Sequence, residues 1–309
     1  MKKTAVKNKT KKTKPAAKKT VKKTAKKSPA KKPAKKATKA AAPLRIIGKG
    51  EKPPVRIENL SGRGRAVIVC DHASNRVPKS LKNLGLGKKD LAKHIAWDPG
   101  TEVIGKYLSK VMDAPAVYAQ YSRLVVDLNR GEDNKECMRD VSDHIRIPRN
   151  VGLTEEERQQ RLNEIFWPYH AAIDKAVTRF TGKGIVPMFL SMHSFTPEMD
   201  GYKRPWEIGI LWNNEEKLAR QLAKNLRAQN PGMVVGENEP YSLKSVNYSK
   251  NTISTHAEGR GLPYIIVEFR QDLVGDRKGA LKWAKIFLKA LQPILDDKTT
   301  YTQRRASRK

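Results

Sequence analysis

No stretch of this 309-residue chain approaches 18 consecutive apolar residues, which argues against a membrane-spanning helix. The N-terminus is as positive as the first region of a secretion signal, but no apolar core follows it. It also lacks the arginines and amphipathic pattern of an organelle presequence. Cysteine is scarce. Cys70 sits in the apolar run Ala66–Cys70 and Cys137 in a charged stretch, a usage that argues against a disulfide and fits a reducing cytoplasm. There is no internal repeat. No Gly-x-Ser-x-Gly elbow is present to expose a serine nucleophile beside Ser74 or Ser194.

Negative charge is missing from one end only. Residues 1–42 contain 18 Lys, 10 Ala, 6 Thr and 3 Pro, and no acid, arginine or aromatic residue. The rest of the chain sets 45 Lys and Arg against 31 acids, so the net charge of +32 falls to +14 over residues 43–309. All 6 His and all 5 Trp lie there. A segment with nothing to bury and only like charges is expected to be disordered. It resembles the lysine-alanine-proline tails of linker-histone-like proteins. Such a tail binds phosphates without reading sequence, and it has no aromatic ring to stack on bases. It is either a tether to nucleic acid, polyphosphate or an anionic surface, or a solubilising extension. As a tether it would make the protein nucleoid-associated within the cytoplasm. The expected organisation is a tail over 1–42, a proline- and glycine-marked linker over 43–64, a catalytic body over 65–295 and a basic C-terminal tail over 296–309.

Within the body, apolar runs alternate with helical patterns. Strands are expected at Ala66–Cys70 and at 114–118, 124–128, 185–190, 207–212, 233–235 and 264–268. A helix is expected over 98–112, with Asp98 as N-cap and Pro99 at its first position. Thr154 and Glu157 form a capping box. It opens a long helix whose Leu162, Ile165, Tyr169, Ile173, Ala176 and Phe180 fall at helical spacing. Further helices are expected over 215–228 and 279–291, with a helical turn at 253–258. Continuous apolar strands between helices imply an α/β fold, its mostly parallel sheet covered on both faces.

In such sheets ligands bind beyond the C-terminal strand ends. Three runs end in metal-binding residue types: Asp71-His72, Ser191-Met192-His193 and Glu268. Two imidazoles and a carboxylate brought to one sheet edge suit a catalytic zinc site, which needs about three protein ligands and an open position. Each histidine taken singly also has the ordinary reading of a hydrogen-bonded side chain. His94, His144 and His170 are read as ordinary surface or helix residues. His256 and Glu258 are candidates for a supporting or substrate-binding role, and Trp206 and Trp212 for lining a pocket.

An ordered set of motifs then resembles the N-formylglutamate amidohydrolase family. It includes Cys70-Asp-His-Ala-Ser-Asn-Arg-Val-Pro78, His94-Ile-Ala-Trp-Asp-Pro-Gly100, Tyr121-Ser-Arg-Leu-Val-Val-Asp-Leu-Asn-Arg130 and Ser191-Met-His-Ser-Phe-Thr-Pro197. Arg204-Pro-Trp206, Gly209-Ile-Leu-Trp-Asn213, Asn238-Glu-Pro-Tyr241, His256-Ala-Glu-Gly-Arg-Gly-Leu-Pro-Tyr264 and Glu268-Phe-Arg-Gln-Asp-Leu273 continue it. The resemblance covers roughly residues 60–295.

The resemblance implies a three-layer αβα sandwich related to zinc carboxypeptidases, and a divalent metal, zinc by preference. His72 and His193 become metal ligands and Glu268 the general base. Where the carboxypeptidases have His-x-x-Glu, this chain has His72-Ala-Ser-Asn75, and Asn is a poor ligand. Asp98 is therefore the expected third ligand, with a plain helix N-cap as its alternative role. Arg130 is expected to polarise the scissile carbonyl. Asn75, Arg123, Asn129, Arg204 and Arg270 are expected to hold an N-acyl amino acid carrying carboxylates. The rival reading is an α/β module, non-catalytic or of different specificity, tethered by its tail to nucleic acid or polyphosphate.

Overall fold

The computed structural model describes residues 45–243 and 250–306. The tail expected over 1–42 lies outside them. Seven strands form one mixed sheet: β1 (Val55–Glu58), β2 (Ala66–Cys70), β3 (Ala116–Ala119), β4 (Met188–Phe195), β5 (Ile208–Leu211), β6 (Val235–Glu237) and β7 (Tyr264–Arg270). Their spatial order is β1-β3-β2-β4-β7-β5-β6. The central strands β3, β2, β4 and β7 are mutually parallel. β1 joins β3 antiparallel, β5 joins β7 antiparallel, and β6 lies parallel to β5.

The flanking helices are α1 (Thr101–Val111), α2 (Glu155–Arg161), α3 (Trp167–Thr181), α4 (Glu216–Gln229), α5 (Thr252–His256) and α6 (Arg277–Asp296). Alternation along the strands builds two cores. Val67, Val69, Phe189 and Ile266 pack under Tyr169, Ile173 and Ala176 of α3. Ala66, Ile68, Leu190 and Ile265 face α1, α4 and α6 through Leu108, Leu222, Trp283 and Phe287. The result is the expected αβα sandwich. At Gly105 of α1 a Cβ would meet Cys70 Sγ at 2.8 Å and the Tyr118 ring at 2.9 Å, so glycine lets this helix lie close to the sheet. Among the described residues no helix is long and apolar enough to cross a membrane. Both cysteines are free and buried.

Several expected boundaries move. The linker over 43–64 contributes β1, because Val55 and Ile57 pack on the α3-side core. Residues 298–306 are not a loose tail: Arg304 N–H donates to Gly261 O at 2.8 Å and its Nε to Glu215 Oε1 at 2.8 Å. The strand expected at 124–128 is a series of turns, since Val125 N–H bonds back to Ser122 O and Asp127 N–H reaches across to Cys137 O. The capping box forms as expected, and helix continues from Glu155 to Thr181 through one π-helical stretch, Leu162–Phe166. β4 extends to Phe195, so His193 stands inside the strand rather than past its end. α1 starts at Thr101, with left-handed Gly100 before it. Asp98 does not cap it, for its carboxylate is turned toward the histidines.

Candidate metal centre and cleft

Chain segments distant in sequence meet where the parallel strands end. β2 runs into Asp71 and His72, the turn ahead of α1 supplies Asp98, β4 carries His193 and β7 carries Glu268. His193 and Glu268 are register partners on adjacent parallel strands, so their side chains leave the same face of the sheet.

His72 Nδ1 lies 3.3 Å, and His193 Nδ1 3.0 Å, from one oxygen, Asp98 Oδ2. All three side chains are buried. Their ligand atoms lie within 4.8 Å of one another, close enough for one ion to touch all three. The outer imidazole nitrogens have partners too. His72 Nε2 is 2.8 Å from Asp127 Oδ1, and His193 Nε2 is 3.1 Å from Ser191 Oγ and 3.5 Å from Asp71 Oδ2. Asp71 in turn accepts the Tyr169 hydroxyl at 2.6 Å. A histidine that donates its outer N–H to a carboxylate presents its other nitrogen as a ligand. Asp127 thus assigns His72 the tautomer whose Nδ1 lone pair points toward Asp98 Oδ2. A lone pair facing a carboxylate oxygen needs a cation or a proton between them, and the two-nitrogen, one-oxygen set suits a divalent metal.

The electrostatics agree. Burial opposes charge on Asp98, yet His72 and His193 hold it well below the usual carboxylate range. Burial likewise opposes charge on Asp127, and Arg123 and His72 outweigh it. His193 is raised against its burial by Asp71 and Asp98. His72 is raised by Asp127 and Asp98, which outweigh burial and the repulsion of Arg123. Glu268 behaves in the opposite way. Burial pushes its carboxyl up to about 7, with His193 working against the rise and Asp98 adding to it. Its Oε2 is buried with no hydrogen-bond partner among the described residues. A carboxyl poised near neutrality beside a group that could hold a metal ion has a property that acid–base chemistry uses.

These groups lie at a cleft of about 210 Å³. His72, Asp98, His193, Glu268, Arg123, Asn129 and Arg130, all expected at the site, line it. Arg123 is largely committed there, with Nη2 2.7 Å from Asp127 Oδ2 and Nη1 3.7 Å from Asp98 Oδ1. Arg130 Nε stands 3.9 Å from Asp127 Oδ2. Asn129 Oδ1 accepts the Thr252 N–H at 3.1 Å and thereby ties α5 to the cleft wall.

Other expected residues are not among those lining the cleft, although Arg204 reaches its rim through the Tyr241 hydroxyl at 3.2 Å. Asn75 gives its amide to Leu91 O at 2.9 Å and lines a separate surface groove. Arg204 stacks on Tyr241 with its guanidinium 5.1 Å from the ring centre. Arg270 pairs with Asp272 at 2.8 Å. Neither arginine is among the residues lining the cleft, nor are Trp206 and Trp212. His256 joins His170 at 2.8 Å and Asp174 at 3.0 Å, while Glu258 accepts the Tyr264 hydroxyl at 2.6 Å, also away from the cleft.

Sequence reasoning gave no site role to Asp127, His94 or Arg139, and noted Asp71 only as a metal-binding residue type beside His72. Asp127 sat inside an apolar run that read as a strand, and a lone acid in such a run was the available signal. His94 was read as an ordinary surface or helix residue. It lines the cleft, 3.4 Å from Asp143.

The N-formylglutamate amidohydrolase family matches residues 64–274 of the chain. A gene product of Agrobacterium tumefaciens of solved structure is 32% identical, with a TM-score of 0.75, over 81% of this chain and 99% of that one. An N-formylglutamate amidohydrolase from Ralstonia eutropha is 18% identical, with a TM-score of 0.53, over 78% of this chain and 97% of that one, a likeness of fold. No curated protein matches.

Proposed function

Since the chain belongs to the N-formylglutamate amidohydrolase family, we propose that it hydrolyses the amide C–N bond of an N-formyl or other N-acyl amino acid, N-formyl-L-glutamate first among them. One observation carries this reading: the buried Glu268 carboxyl, whose Oε2 has no hydrogen-bond partner among the described residues, stands in register beside His193 of a His–Asp–His group.

His72, Asp98 and His193 would hold the metal, zinc by their donor chemistry, which when bound supplies Lewis acidity for attack on an amide carbonyl. Glu268 takes the proton of the attacking water and passes it to the leaving nitrogen. Arg130 on the cleft wall offers N–H donors to the negative charge that develops on the acyl oxygen. Asp127 fixes the tautomer of His72, and Asp71 with Tyr169 orients His193. The products are an acid and a free amino acid.

The test is metal content and turnover measured together on the full chain with a panel of N-acyl amino acids. About one metal per chain, with turnover abolished by chelator and restored by metal, is the expected result. Bound metal without turnover of any N-acyl substrate would favour a non-catalytic or differently specific module.

We also propose that residues 1–42, with 18 Lys and no acid, hold the protein to polyanions in a cytoplasmic setting. Retention on heparin or DNA that falls steeply with salt, and is lost on deleting the segment, would support this.

A further inference from the structure

Three arginines line the cleft, Arg123, Arg130 and Arg139. Arg123 and Arg130 share one buried acid, Asp127. Arg139 has a different situation. Its side chain is 22% exposed, and among the described residues its ion pair is with Glu136 at 3.2 Å, whose own side chain is 48% exposed. An exposed pair three residues apart is weak and screened. Burial and the charge of Arg123 press against the Arg139 charge, and the attraction of Asp127 and Glu136 offsets them only in part. The guanidinium is therefore drawn largely out of water with only this exposed ion pair at close range, an arrangement that an incoming anion relieves.

The backbone around it is held firmly. Asn150 Nδ2 donates to Arg139 O at 2.8 Å, and Asn150 Oδ1 accepts Arg161 Nη1 at 2.7 Å. Asp127 N–H donates to Cys137 O at 2.7 Å, which ties the turn before Arg139 to the segment bearing Asp127. A charge fixed on a preorganised wall is suited to selecting a ligand.

We propose that Arg139 is a specificity-determining residue that anchors the side-chain carboxylate of an acidic N-acyl amino acid, a proposal resting on the amidohydrolase reading of the same cleft. Glutamine, the neutral isostere, lacks the charge that Arg139 is placed to meet, so the enzyme discriminates N-formyl-L-glutamate from N-formyl-L-glutamine at this position.

The test uses metal-loaded, full-length Arg139→Gln and Arg139→Lys with both substrates. The expected result for Arg139→Gln is a loss of about 10- to 100-fold in kcat/KM on the glutamate substrate, mostly through KM, with the glutamine substrate and metal content nearly unchanged. Arg139→Lys keeps the charge but not the fork, so it should recover part of the loss and serves alone if the Gln variant does not fold. Equal losses on the two substrates, or none, would overturn the anchor. If the unmodified protein turns over neither substrate, the amidohydrolase reading fails separately, and calorimetry with glutarate and glutaramate decides. Tighter glutarate binding that disappears in Arg139→Gln supports the anchor, and equal binding of the two sinks it.

Discussion

Asp127 accepts the Nε2–H of His72 at 2.8 Å, and with that single bond it decides which imidazole nitrogen faces Asp98. Asp127→Asn can offer its amide N–H where an acceptor is needed, and so favours the wrong tautomer. Metal affinity should fall about 10- to 100-fold, measured by competition with a chromogenic chelator. The same change removes the partner of Arg123, 2.7 Å away, so stability should drop by about 3 kcal/mol in urea unfolding. Unchanged affinity would show that the tautomer does not depend on Asp127.

Glu268→Gln should lower kcat by about 10²- to 10⁴-fold while metal content stays at the unmodified level. The pH dependence follows from the same carboxyl. A base raised to about 7 is protonated and idle below that value, so kcat/KM should fall as pH drops. A bound cation favours the ionised form, which places the midpoint of that limb at or below 7. Full activity in the variant would remove Glu268 from the chemistry.

Gly100 separates Asp98 from α1 and lies in the left-handed region at φ 84°. A Cβ there would meet Val274 O at 2.5 Å and Val274 Cβ at 2.8 Å. Gly100→Ala should therefore cost about 2 kcal/mol or more. Because the turn sets the position of Asp98, metal affinity should weaken along with the Tm. A folded variant with native affinity would show that the turn does not set the ligand.

His170 gives a stability signal apart from catalysis. Burial, reinforced by His256, lowers its pKa from 6.5 to about 4. The unfolded chain therefore binds a proton that the fold refuses. Stability from this group is complete above about 6.5 and is lost as pH falls toward 4, by up to about 3 kcal/mol. In His170→Gln the fall in Tm over that interval should be visibly shallower. An unchanged slope would assign acid sensitivity to other groups.

The strands that carry chemistry were legible because they are apolar runs ending in imidazole or carboxylate. His72, His193 and Glu268 follow from that pattern and the resemblance, and the structure brings Asp98 to the two histidines. The arginines were less legible, since a guanidinium on a long stem reaches several partners and sequence does not say which it takes. Arg270 finds Asp272 two residues on, and Arg204 finds the ring of Tyr241. The segment around Asp127 misled for a different reason: its apolar residues are buried by turns against the α3-side core rather than by strand pairing.

His72, Asp98 and His193 belong to three segments that chain connectivity does not hold together. A cation bound among them would be a rivet through the sheet edge. Occupancy should then govern mechanical integrity as well as chemistry, so that the stripped protein loosens first at this edge, where amide exchange would report it, while the helical layers stay closed.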